Sequence, residues 1–337
     1  MNERFLEGKK VLLIALPGYP QGIVKQMQEM GAQVDYINDK PNDGFWCKTL
    51  GRLQVKFYQL VIARYYYRKI DELKEKRYDY VLVVRGEYTP VKALVRLHET
   101  FPDAKYVLYI WDGLHKRNTR GIEKKWRYFD SVYTFDRIDY EAHRGEIKFL
   151  PLYYYNEYLP KCGDYVIDSE YKYDVSFIGT GHSDRVKVVK SVMEQCEKKG
   201  LRTFRYIYIP HILVYWKNKL FNKGFKGVKK SEMQFKMLPF KSLYEIYSKS
   251  RCVVDVEDPG QHGLTMRSIE VVGLKRKLIT TNKDIVNYDF YNTNNIFVLD
   301  RNNPVVDETF IDMPYKELDP EIYDKYSLKR WICSVLD

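Results

Sequence analysis

The stretch from Val11 to Leu16 is an unbroken apolar run. A strand with no polar face has to be covered on both sides, which is the condition of a strand inside a parallel sheet flanked by helices. The next residues fit a helix that supplies such cover. Pro17 and Gly18 end the run, Ile23, Met27 and Met30 recur at helical spacing, Gly31 closes the helix, and residues 33–37 read as a second strand. Such a β-α-β unit implies parallel strands joined by a right-handed crossover.

The alternation continues along the chain. Strands are predicted at 79–84, 105–110, 131–134 and 147–150, with a basic, aromatic-rich helix over 51–76. Between 151 and 173 the pattern breaks, because Pro151, Pro160 and Gly163 punctuate a polar, Tyr-rich stretch that reads as a connection. A second series has strands at 174–178, 204–209, 252–256, 277–281 and 295–299 and helices near 184–199, 241–249 and 265–272. The helix over 184–199 puts Val186, Val189, Met193 and Cys196 on one face. The predicted fold class is α/β, two doubly wound sheets in tandem. A first domain spans 1–160 and a second spans 174–310. In the segment 311–337, a last helix over about 320–336 folds back toward the first domain.

Charge narrows the partners. Lys and Arg number 56 against 45 Asp and Glu, a net charge of +11. That excess favours phosphate-bearing partners, and nucleic acid, anionic lipid and nucleotide diphosphates all fit. The 31 Tyr suit sites for sugars and flat polar ligands, and equally suit half-buried strand and helix positions. Cys47, Cys162, Cys196, Cys252 and Cys333 are far apart and form no CxxC pair, and the six His form no HExxH pattern. Free thiols in a reducing compartment are expected rather than a disulfide framework or a zinc site. No run reaches the ~18 apolar residues that span a bilayer, and no export signal is legible, so a cytoplasmic protein is expected.

Two segments carry ligand chemistry. Residues 177–185 run from a strand through Gly179, Thr180 and Gly181 to a helix start bearing Arg185. Glycines let a backbone approach a ligand, helix N-termini offer free N–H groups to an anion, and an Arg there adds a fork of donors. A tight turn with a surface Arg gives the same pattern. Residues 258–270 repeat the arrangement, with Gly263, Leu264 and Thr265 before a helix and Arg267 and Glu270 three apart on one face. Arg267 is suited to neutralising a diphosphate and Glu270 to accepting hydrogen bonds from two ribose hydroxyls; an intrahelical ion pair is the plainer alternative. Both segments lie at the carboxyl ends of strands, where open α/β sheets bind ligands.

Residues 260–270, with 277–282 and 294–298, resemble the C-terminal domain of GT-B glycosyltransferases, most closely those of bacterial capsule and lipopolysaccharide biosynthesis and the spore-maturation-protein-B-like group. Residues 174–179 with Arg185 resemble the opening of that domain, and residues 109–112 resemble the capsule proteins more weakly. The resemblance implies a GT-B architecture, two Rossmann-like domains facing a cleft. It implies a nucleotide-sugar co-substrate rather than a bound cofactor, with Glu270 on the ribose and the loops Gly179–Gly181 and Gly263–Thr265 on the diphosphate. Where many retaining members carry a Glu eight residues before the ribose Glu, this chain has His262, so that sugar-contacting role does not transfer. His262 remains a candidate for the donor phosphate or sugar, or a loop residue with no role.

An inverting reaction needs a base for the acceptor hydroxyl, and Asp112, Glu87 and His115, after predicted strands of the first domain, are the candidates in that order. For Asp112 a helix cap or a loop hydrogen bond is an equal reading. The loop 17–22 is a further candidate for the cleft. Residues 216–230 are basic, lack acids and interleave Trp216, Phe221 and Phe225, which suits contact with an anionic membrane at the inner face of the cell membrane, or a solvated loop. The expected function is metal-independent transfer of a sugar from a nucleotide-sugar donor to a glycan or lipid-linked acceptor in cell-surface polysaccharide biosynthesis. The alternatives are a non-catalytic scaffold of the same fold and a basic nucleic-acid-binding protein. The latter lacks any recognisable binding motif, and no nucleic-acid partner is expected.

Overall fold

The computed structural model describes residues 5–16, 20–41, 56–156 and 171–337. Residues 17–19 of the 17–22 loop, the start of the predicted 51–76 helix, most of the 151–173 connection, Cys47 and Cys162 lie outside the described residues. The chain divides into two compact units, Met1–Pro151 with Leu328–Asp337, and Leu152–Ser327.

The first unit begins with β1 (Lys10–Ala15), α1 (Pro20–Glu29), β2 (Gln33–Asn38), α2 (Lys56–Asp71), β3 (Tyr80–Val84), α3 (Val91–Thr100), β4 (Lys105–Ile110), β5 (Ser131–Thr134), α4 (Arg137–Ala142) and β6 (Lys148–Phe149). Its sheet has the order β2-β1-β3-β4-β5-β6, and every pairing is parallel. Val11 to Ile14 are fully buried, as a strand covered on both faces must be. Helix α2 ends at Asp71, short of the predicted end, because residues 72–77 offer only Leu73 to bury. The switch in strand order falls between β1 and β3. The β1 strand sends its chain to β2 on one side, and β3 to β6 build outward on the other.

The second unit continues with β7 (Tyr173–Thr180), α5 (Arg185–Lys198), β8 (Thr203–Tyr208), α6 (Ile212–Phe221), β9 (Met233–Gln234), α7 (Phe240–Ser248), β10 (Ser250–Asp255), α8 (Met266–Gly273), β11 (Lys277–Thr280), β12 (Ile296–Val298), α9 (Glu308–Asp312) and α10 (Pro320–Lys325). Its sheet, order β12-β11-β10-β7-β8-β9, is again all parallel, with the switch between β7 and β10. On α5 the predicted face is buried, with Val186, Val189, Met193 and Cys196 in the core beside Phe177 and Ile207. Cys196, Cys252 and Cys333 are buried free thiols.

The single helix predicted over about 320–336 is two. It breaks at Tyr326 and Ser327, and α11 (Leu328–Leu336) comes after the break. The cause is a strand-like contact from far upstream: the Tyr154 N–H donates to the Tyr326 carbonyl at 2.9 Å, and Tyr154 pairs with Ser327. The Tyr326 hydroxyl donates to Asp289 at 2.6 Å. Residues 311–327 accordingly belong to the second unit and only Leu328–Asp337 to the first, where Trp331 packs edge-on against Tyr109 and the Tyr133 hydroxyl donates to the Ser334 carbonyl. Leu152 to Asn156 also lie in the second unit, so the first ends before residue 160.

Candidate functional site

In the second unit, the carboxyl ends of β7 and β10 meet at the switch point, and Arg185 sits there. Its Nε donates to the Val256 carbonyl at 2.5 Å and its Nη1 to the Thr180 carbonyl at 3.1 Å, so one guanidinium ties both strand ends together. The side chain is buried, and among the described residues no carboxylate lies within ion-pair distance of it. Burial and the neighbouring charge of Arg267 push its pKa down to about 10. A buried cation under that pressure gains from any anion that reaches it.

Arg267, which the sequence suggested for the same task, is committed elsewhere. Its Nη1 donates to the fully buried carboxylate of Asp255 at 2.7 Å, its Nε donates to the Tyr247 hydroxyl at 2.8 Å, and its guanidinium lies over the Phe177 ring. Burial works against its charge, and Tyr247 and Asp255 more than restore it. Asp255 also accepts from the Thr265 and Ser268 hydroxyls, each at 2.6 Å. Thr265 is therefore spent as the N-cap of α8, where it accepts from the Ser268 N–H, and as a support for Asp255. Asp255 is thus spent on bonds within the unit, as is Glu257, which accepts from Thr281 and Arg301.

The glycines of the first loop also serve packing. A Cβ on Gly179 would lie 2.7 Å from Arg267 Nη2 and 2.9 Å from the Phe177 ring, and one on Gly181 would lie 2.9 Å from Ile207. Gly263 is buried, and its carbonyl accepts from Gln261 and Asn282; the His262 carbonyl accepts from Asn282 at 2.9 Å, while the His262 residue is exposed. Leu264 is buried, and Glu270 is half-buried on α8 within electrostatic reach of Arg267 and Tyr247.

Sequence reasoning missed a clamp beside Arg185. Arg301, after β12, donates to both oxygens of Asp184 at 2.9 and 2.7 Å and to Glu257 Oε1 at 2.7 Å. The Thr281 hydroxyl donates to the other Glu257 oxygen at 2.5 Å. The Arg301 bonds hold Asp184 below the ordinary carboxylate range, whereas burial raises Glu257. The clamp fixes the turn into α5 and so the position of Arg185. Nothing local marks it, since Arg301 lies 117 residues from Asp184.

In the first unit, the loops after β2, β3 and β4 bring together Asp39, Arg85, Glu87, Asp112, Lys116 and Lys125. Arg85, with positive φ at 78°, donates to Asp112 Oδ2 at 2.5 Å and to both Glu87 oxygens at 3.1 Å. Lys116 donates to Asp112 Oδ1 at 2.7 Å and Asn118 to Oδ2 at 3.3 Å. Burial opposes ionisation of Asp112, but Arg85 and Lys116 outweigh it and hold the pKa at about 2, so this carboxylate is a poor base. Glu87 is pushed up by burial against the pull of Arg85, which occupies both its oxygens. His115 is exposed, with its ring against Gly113.

A further carboxylate of this group is one that no sequence motif marks. Asp39 is fully buried, and neither carboxylate oxygen has a hydrogen-bond partner among the described residues. Burial drives its pKa up to about 7, against the pull of Arg85, Lys40 and Lys125. Burial likewise lowers Lys125 to about 8, while its Nζ donates to the Gly86 and Glu87 carbonyls at 2.7 and 3.1 Å. The backbone at Asp39 is anchored by the Tyr66 hydroxyl, which donates to its carbonyl at 3.2 Å. The only sequence signal for Asp39 is its place just past β2, at a strand's carboxyl end.

The Asp39 shift fixes a stability profile. Between its ordinary value of 3.8 and about 7, the folded chain keeps a proton that the unfolded chain has released, so stability falls as pH rises through that window. Asp39→Asn should melt a few degrees above the wild type at about pH 8, with the gap closing toward about pH 4, in thermal melts across pH. A gap that does not change with pH would contradict the assignment.

No known family profile and no curated protein sequence matches the chain. Solved structures do match. Alr3699/HepE of Anabaena, in complex with UDP and glucose, shares 12% identity over 97% of this chain and 99% of that one, with a TM-score of 0.60. The catalytic domain of starch synthase IV from Arabidopsis thaliana, bound to ADP and acarbose, shares 8% identity over 97% and 95%, with a TM-score of 0.55. The lipopolysaccharide outer core galactosyltransferase WaaB shares 12% over 97% and 99%, with a TM-score of 0.50. The two parallel six-stranded sheets with their helices are thus the GT-B fold.

Proposed function

We propose that the chain transfers a glycosyl group from a nucleoside diphosphate sugar to a hydroxyl acceptor, with the second unit holding the nucleotide. The observation that carries this is Arg185, a buried guanidinium with no carboxylate within ion-pair distance among the described residues, at the switch point between β7 and β10. Asp255, Asp258 and Glu257 favour that charge from beyond ion-pair distance, and burial and Arg267 still outweigh them, so an anionic ligand would stabilise it. The diphosphate takes Arg185 as its counter-charge, and Glu270, half-buried on α8, takes the ribose. In this reading the leaving diphosphate is stabilised by a fixed cation and backbone N–H groups, without a metal. If the reaction inverts the anomeric centre, the acceptor oxygen bonds to the anomeric carbon, the bond to the diphosphate breaks, and the hydroxyl proton passes to a general base.

The finer role is surface-polysaccharide synthesis on a glycan or lipid-linked acceptor. The likeness of residues 260–270 to capsule and lipopolysaccharide transferases supports it, as does the fold shared with HepE and WaaB, one solved with UDP and glucose and the other an outer core galactosyltransferase.

Thermal melts with UDP, GDP, CMP, ADP and their sugars test the proposal. One nucleotide at ~100 times its Kd should add about 2.7 kcal/mol of stability. Glu270→Ala should shrink that response without lowering the ligand-free Tm by more than a few degrees. A flat panel with folded protein would defeat the reading.

A further inference from the structure

Helix α6 is built inside out. Only Tyr215 of its ten residues is fully buried, and it faces the core with its hydroxyl donating to the Val228 carbonyl at 3.1 Å. The opposite face carries Leu213, Trp216, Leu220 and Phe221, which are 68%, 52%, 74% and 82% exposed. Spacing of three, four and one places these side chains along one stripe, with Lys217 inside it. A soluble helix turns its apolar stripe inward, so this stripe is made for an apolar environment outside the chain.

The turn after α6 supplies the matching charge. From residue 212 to 241 there are eight Lys and one acid, Glu232, a net of +7 within a chain whose total is +11. Glu232 is itself paired with Lys190 at 3.0 Å, and Lys217, Lys223, Lys226, Lys229 and Lys230 are exposed. Phe225, which the sequence pattern groups with these aromatics, does not take part. It is fully buried in the core of the second unit, and with Gly224 it braces the turn.

We infer that α6 and the lysine-rich turn behind it form a docking surface for an anionic lipid bilayer, with Leu213, Trp216, Leu220 and Phe221 entering the interface and the lysines meeting the headgroups. Bulky apolar groups beside long-stemmed lysines, whose heads snorkel to phosphate, are the pattern of an interfacial helix. A nucleic-acid groove would instead present aromatic faces and donors to bases, for which Leu213 and Leu220 have no use. This inference stands apart from the nucleotide site, so either can fail alone.

Vesicle sedimentation of the full chain tests it. Binding to phosphatidylcholine vesicles containing about 30% phosphatidylglycerol should exceed binding to phosphatidylcholine alone by ~10-fold or more and fall in about 0.5 M salt. Trp216 fluorescence should shift to the blue on binding, a signal absent from Trp216→Phe. The exposed double variant Leu220→Glu/Phe221→Glu should lose ~10-fold or more of the partitioning while keeping its Tm and its nucleotide response. No binding to the anionic vesicles at low salt, or binding indifferent to the double variant, would overturn the inference. So would tighter binding to a short single-stranded RNA than to the vesicles.

Discussion

Arg185→Met is expected to weaken nucleotide binding about 100-fold while leaving the ligand-free Tm within a few degrees of the wild type. The affinity loss comes from removing a charge-assisted, desolvated contact to the diphosphate. The unchanged stability reflects the lack, among the described residues, of a carboxylate bonded to Arg185. Its two bonds go to the Val256 and Thr180 carbonyls, and burial with the Arg267 charge already depresses its pKa to about 10. Removing that strained cation relieves a cost that offsets the two lost hydrogen bonds. Methionine keeps the volume of the side-chain stem, so no large cavity opens. Titration calorimetry with the nucleotide and melts of the free protein read the two halves separately. A variant that loses affinity only because it unfolds would refute the division.

Arg267→Ala should do the reverse, destabilising the second unit by about 3–5 kcal/mol, roughly 10 °C in Tm. The fully buried Asp255 would lose its counter-charge, and Tyr247 would lose the guanidinium that bonds its hydroxyl. The Thr265 and Ser268 hydroxyls would remain on Asp255 and cannot neutralise it. Circular dichroism melts of the free protein measure this directly. An Arg267→Ala protein as stable as the wild type would mean that the Arg267–Asp255 pair is not what anchors α8.

The contrast between these two arginines shows where the sequence stops being informative. Both come after a glycine-bearing loop at the start of a helix, and from composition and spacing they look alike. Which one is free for a ligand depends on Asp255, which is hydrogen-bonded to only one of them, and on Tyr247, brought in from α7. The same holds in the first unit. Asp112, Glu87 and Asp39 all come after strands, but Arg85 and Lys116 reach only the first two within hydrogen-bond distance and leave Asp39 with neither oxygen bonded among the described residues. The fold itself was legible because parallel strands are apolar runs, and Val11–Ile14 or Cys252–Val254 can hardly be anything else. The break between α10 and α11 was not, since it is imposed by Tyr154 from the far side of the sequence.

The most direct test is a crystal structure of the chain with the nucleotide that gives the largest thermal shift. The account predicts diphosphate oxygens within hydrogen-bond distance of the Arg185 guanidinium, at the ends of β7 and β10. A well-ordered nucleotide bound elsewhere, with Arg185 still joined only to the Val256 and Thr180 carbonyls, would contradict it.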